Sequence, residues 1–146
     1  MTENQDIQRP PDSHFQLVTN QWTEPFWEAV SEKRLLCASC AECGQTRMPP
    51  TPFCPKCRSK KISWTELSGL GSVYSYTIVW RTTMPAEGAS LPYVPAVVEL
   101  EGTMGARLIT NIVDSKLNDL KIGTRVEVTF DCLSSELIVP RFSIVT

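Results

Sequence analysis

Six cysteines carry most of the chemistry available to this 146-residue chain, and five of them, Cys37, Cys40, Cys43, Cys54 and Cys57, are crowded into one short stretch. Residues 1–20 are polar and lack the apolar core of a secretory signal. No apolar run approaches the roughly 18 residues that cross a bilayer. A cytoplasmic protein outside the membrane is therefore expected, and in that reducing setting clustered cysteines point to a metal rather than to disulfides. The spacing Cys40-Ala41-Glu42-Cys43-Gly44, then Cys54-Pro55-Lys56-Cys57, makes two CxxC knuckles. Their four thiolates can close a tetrahedron around zinc. Gly44 permits the left-handed residue that such a knuckle often needs, and Pro55 fixes φ inside the second turn.

Two rival uses of these thiols are weaker. Catalytic zinc keeps an open position and usually a histidine, yet the single histidine, His14, sits beside Asp12 and Ser13 in a polar stretch and reads as a solvated tail residue. Thioredoxin-like chemistry needs one CxxC opening a helix, not two spaced knuckles. Cys37-Ala38-Ser39-Cys40 is also a CxxC, which leaves the register slightly open. Gly44 favours Cys40 and Cys43 as the liganding pair, with Cys37 a spare thiol. Cys132, just after a strand, reads as a small buried hydrophobe.

Charge isolates the same region. The chain is nearly balanced, at net −2, but residues 44–61 hold Arg47, Lys56, Arg58, Lys60 and Lys61 with no acidic residue among them. Four thiolates around a divalent zinc ion leave a negative cluster that these cations can offset. Alternatively, Arg47, Lys56 and Arg58 meet the phosphates of a nucleotide-like ligand or the acids of a partner. The overall balance argues against a phosphate backbone as the partner.

The flanking segments supply the frame. Residues 1–21 read as a polar tail. A helix is expected within 22–36, running to about Lys33: Thr23 can cap, Pro25 suits the first turn, and Glu24 and Glu28 favour the positive end. Trp22, Phe26, Trp27 and Val30 then form an apolar stripe, for its own domain or for a partner interface. Residues 37–61 form the ribbon. From Ile62 the period becomes twofold, with strands expected at 62–67, 71–80, 94–101, 106–113, 124–131 and 136–145 and a short helical turn at 115–120. Five or six antiparallel strands with a mid-way helical insertion suggest that 62–146 is a small closed barrel of the oligonucleotide- and oligosaccharide-binding (OB) type. The long connection from Arg81 to Tyr93 would lie by the barrel mouth, where Arg81, Met84 and Tyr93 line a ligand channel or simply cross over.

The order helix, zinc ribbon, barrel, over roughly residues 22–145, resembles the zinc-ribbon OB-fold proteins of domain of unknown function thirty-five. The resemblance rests on Trp22 to Leu36, on the two knuckles joined through Met48-Pro49-Pro50, and on Gly71-Ser72-Val73-Tyr74-Ser75-Tyr76-Thr77. Pro95 to Leu100, Ile122 to Val126 and Pro140-Arg141-Phe142 add to it. It implies a mainly β protein with a rubredoxin-like ribbon and a structural zinc at Cys40, Cys43, Cys54 and Cys57. It also implies an accessory subunit of an acyl-coenzyme A enzyme, most often a thiolase-like large subunit that holds the nucleophile and acid/base groups. Benzoylsuccinyl-coenzyme A cleavage is one candidate reaction. Partnership with a MaoC-type enoyl-coenzyme A hydratase is the alternative, and a single-strand nucleic-acid module a weaker one. The chain itself offers no cysteine, histidine and base constellation of the thiolase kind.

Overall fold

The sequence pattern places a helix start near Trp22, and the computed structural model, which describes residues 4–12, 15–82 and 90–146, shows how that start is made. Helix α1 spans Glu24–Ser31, and Thr23 makes no side-chain cap. Asn20 does that work: its Oδ1 accepts from the Trp22 and Thr23 amides at 3.0 Å each. The helix ends where Lys33 turns left-handed, φ 59°. There the Arg34 amide reaches back to the Ala29 carbonyl and the Lys33 amide to that of Val30, both at 2.9 Å, a Schellman closure without glycine. The chain then leaves the helix early enough to form a strand that the periodicity had not disclosed, β1 (Leu36–Cys40).

Strand β2 (Ile62–Glu66) pairs antiparallel with β1, Cys40 facing Ile62 and Leu36 facing Glu66. The expected strand 62–67 therefore exists, but it belongs to a separate two-stranded sheet and not to the barrel. Strand-forming side chains state only that a segment is extended; the partner is set by where β1 comes to lie.

Five strands close the barrel: β3 (Leu70–Tyr76), β4 (Val94–Leu100), β5 (Arg107–Ile112), β6 (Arg125–Cys132) and β7 (Ile138–Ile144), in the order β3-β4-β5-β7-β6 with β6 returning to β3. The all-antiparallel expectation fails at one seam, since β5 and β7 run parallel at Ile112 and Phe142. A closed ring with an odd number of strands cannot alternate direction throughout, so one parallel neighbour is unavoidable. A 3-10 turn, Leu117–Asp119, bridges β5 to β6 where the helical turn was expected.

Alternation on β4 sends Val94, Ala96, Val98 and Leu100 inward, where they join Val73, Ile112, Val126 and Phe142 with Phe26 and Val30 of the helix and Leu35 in one core. Gly71 lies inside β3, where a Cβ would come within 2.6 Å of the Glu99 carbonyl oxygen; glycine there lets β3 and β4 approach. The first residues are not wholly a tail, because Ile7 is 5% exposed and part of the core. Its amide donates to the Ser115 carbonyl, and the Gln8 amide to that of Pro92.

Candidate metal centre

Two turns of nearly the same construction present the sulfurs. In the first, the Glu42 and Cys43 amides donate to Cys40 Sγ at 3.4 and 3.5 Å. In the second, the Lys56 and Cys57 amides donate to Cys54 Sγ at 3.4 and 3.5 Å. Each turn is closed by the residue after its second cysteine, Gly44 at φ 78° and Arg58 at φ 64°. The knuckles interleave: Cys40 lies 3.5 Å from Cys57 and Cys43 lies 3.5 Å from Cys54, sulfur to sulfur. All four sulfurs sit within 4.8 Å of one another. A tetrahedral zinc with bonds of about 2.3 Å requires sulfurs about 3.8 Å apart, a spacing close to that of the two pairs at 3.5 Å, so the donor set suits zinc.

Electrostatics agrees with a cation in the middle. Without one, donation from the Cys43 amide, helped by that of Glu42, pulls the Cys40 thiol down to about 6. The Ser59 amide acts in the same sense on Cys57, but Cys40, Cys43 and Cys54 outweigh it and push Cys57 up to about 12. Four thiolates cannot share this space until a divalent ion neutralises part of their charge. Cys37 takes no part: strand alternation turns it to the opposite face of β1 from Cys40. It is buried there, and burial pushes its thiol up to about 11. The ligand register is thus Cys40, Cys43, Cys54 and Cys57. Cys132, expected to be buried, is exposed.

The structure separates the other candidate residues. Arg47 is 2% exposed and donates to the Ser59 and Lys61 carbonyls; it ties the ribbon's return segment to its entry and has no surface left for a ligand, so its reading as a ligand-binding residue is corrected. Lys56 and Arg58 are exposed on the second knuckle, and Lys60 lies over the Phe53 ring at 5.5 Å. Arg81 is exposed, while Tyr93 is half-buried and its backbone bridges Val79 and Gln8. Met84 and His14 lie outside the described residues. Of the three aromatics assigned to a partner interface, Phe26 is buried in the core and packs edge-on against Trp27, with ring centres 5.2 Å apart. Trp22 and Trp27 remain half-buried.

Residues 27–63 match the family described as the ChsH2 rubredoxin-like zinc ribbon domain, and residues 64–131 the ChsH2 C-terminal OB-fold domain. A DUF35 domain-containing scaffold protein of Methanocaldococcus jannaschii is 40% identical over 78% of this chain and 80% of its own length. The chain belongs to the DUF35 family. This DUF35 chain also superposes on the structure described as the Ltp2-ChsH2(DUF35) aldolase, with a TM-score of 0.80 and 35% identity over 90% of this chain and 100% of that one. A probable enoyl-CoA hydratase alpha subunit of Thermomonospora curvata is 40% identical over 80% of this chain, which spans only 36% of that relative's length. No described helix is long and apolar enough to cross a membrane.

Proposed function

We propose that this chain is a non-catalytic scaffold subunit of a cytoplasmic thiolase-type complex whose large subunit makes or breaks a carbon–carbon bond at an acyl-coenzyme A thioester. The observation that carries the reading is the convergence of Cys40, Cys43, Cys54 and Cys57 on one centre. A thiolase nucleophile must be an ionised, accessible thiol beside a base, and thiolates that share a metal are withdrawn from that role. Cys37 is buried with its thiol held protonated. The zinc stabilises a ribbon too short to bury a core of its own.

Relatives support a role in assembly. One relative is described as a scaffold protein, one solved structure as the Ltp2-ChsH2(DUF35) aldolase, and a further relative as a probable enoyl-CoA hydratase alpha subunit. Benzoylsuccinyl-coenzyme A is the candidate substrate of the complex. Lys56 and Arg58 on the knuckle, with Arg81 and Tyr93 by the barrel, are the residues through which this chain would touch acyl-coenzyme A. The second reading, a MaoC-type hydratase partner, draws on the hydratase relative. A single-strand nucleic-acid role is disfavoured by the net charge of −2.

Purification of the tagged chain from its native host tests the proposal. The expected result is a hetero-oligomer with a large subunit that shows thiolase activity, while the isolated chain shows none. Turnover by the isolated chain overturns the reading, and hydration without thiolysis by the complex moves it to the hydratase partner.

A further inference from the structure

Over Val94 to Val98, strand β4 is apolar on the face that meets solvent as well as on the core face. Pro95 and Val97 point outward from β4, and Val97 is in register with Ile109 of β5, which is 83% exposed. A sheet with one wet face ordinarily alternates apolar with polar side chains, and a strand apolar on both faces is one that is covered on both. Ile109 is also not isolated. It borders a hollow of about 240 Å³ floored by Trp27, Met48, Pro49 and Leu108, and on its other side a second hollow walled by Pro95 and Val97. Helix α1, the Met48-Pro49 turn of the ribbon and the barrel wall thus build one continuous apolar band, the kind of surface that marks an interface.

Charge says what covers it. The band's cation, Arg107, lies 3.7 Å over the Tyr74 ring and 3.7 Å from Glu99, so its charge is already answered. A nucleotide or an anionic lipid headgroup would bring phosphate to a surface with no cation left to meet it. A protein surface fits: an apolar ridge laid along Trp27, Val97 and Ile109, with the Arg107–Glu99 pair left at its polar rim.

We propose that this band, centred on Ile109, is the docking face for the large subunit. The inference rests on the partnership proposed above and adds its place and chemistry. It shifts the anchor from the helix aromatics to the barrel wall, keeping Trp27 at the margin.

The test uses the native complex. A photo-crosslinking p-benzoylphenylalanine is placed at position 109 and, as a control, at Ile122, which is 64% exposed in a turn. The expected result is an adduct from position 109 to the large subunit, identified by mass and activity, and none from position 122. In parallel, Ile109→Asp weakens association with the large subunit about tenfold or more while Ile122→Asp leaves it unchanged, both variants keeping wild-type zinc content and circular dichroism. An adduct from position 109 to a second copy of this chain, or an Ile109→Asp complex as tight as wild type, overturns the docking face and leaves the partnership standing. A wild-type chain that purifies with no large subunit removes both.

Discussion

Gly44 and Arg58 occupy the same place in the two knuckles. Each has a left-handed backbone, and each donates its amide to the carbonyl of the first cysteine of its own turn, Gly44 to Cys40 at 2.9 Å and Arg58 to Cys54 at 3.0 Å. One position has the residue suited to that conformation and the other does not.

Arg58→Gly relieves a strain of about 1 kcal/mol, partly offset by the greater freedom of glycine in the unfolded chain. The thermal midpoint of the zinc-bound protein is expected to stay level or rise by a few degrees. Gly44→Ala isolates the converse, because the added Cβ meets nothing within 4 Å. It should cost about 1 kcal/mol in urea unfolding. If Arg58 also touches acyl-coenzyme A, its glycine variant is no less stable yet binds more weakly, which separates the two roles.

One zinc per chain is expected by elemental analysis, and Cys54→Ser should abolish it. Chelation should raise amide exchange across β1 and β2 before it affects the barrel, since the ribbon depends on the metal whereas β3 to β7 share the main core. Exchange that stays slow in β1 and β2 after zinc removal would show that the ribbon holds without its ion.

Thiol labelling of the native zinc-bound protein should modify Cys132 alone. Cys37 is buried with its thiol raised to about 11, and the four ligands are held by the ion. Chelation should then release Cys40, Cys43, Cys54 and Cys57, with Cys37 reacting last, on unfolding. Mass spectrometry after alkylation counts these stages directly.

Arg9 fastens the amino-terminal segment to the barrel. Its guanidinium donates to both oxygens of Asp114 at 2.8 and 2.9 Å and to both oxygens of Asp131 at 3.0 and 3.1 Å. The Arg9 bond holds the Asp114 carboxyl below the usual range. A depressed folded-state pKa means that its stabilisation is present above the ordinary carboxylate value and is lost as the pH falls through the depressed one. Arg9 and Asp114 are about half exposed, so Arg9→Ala should cost only about 1 kcal/mol at neutral pH. The difference from wild type should vanish in acid, as read from urea midpoints between pH 7 and pH 2. The amides of Ile7 and Gln8 should exchange faster in the variant.

Much of the site is local and therefore legible. The CxxC spacing, the left-handed Gly44 and the twofold strands from Leu70 onward are short-range properties, and each survives in the structure. The left-handed turn at Arg58 leaves no such signal, because the side chain announces charge while the turn demands a backbone angle. The burial of Arg47 leaves none for a related reason: among five cations in one stretch, only packing decides that this one is drawn inside to the Ser59 and Lys61 carbonyls. The double-sided band did leave a signal, since Val94 to Val98 is apolar at every position.

Residue type and spacing determined the metal ligands and the mainly β character, because a knuckle or a strand period is settled within a few residues. Tertiary structure alone decided that β2 pairs with β1, that β5 and β7 meet in parallel, and that Trp27, Met48 and Ile109 share a surface. Those outcomes depend on which distant segments exclude water together, and burial of that kind is a property of the assembled chain, with no period or spacing to record it.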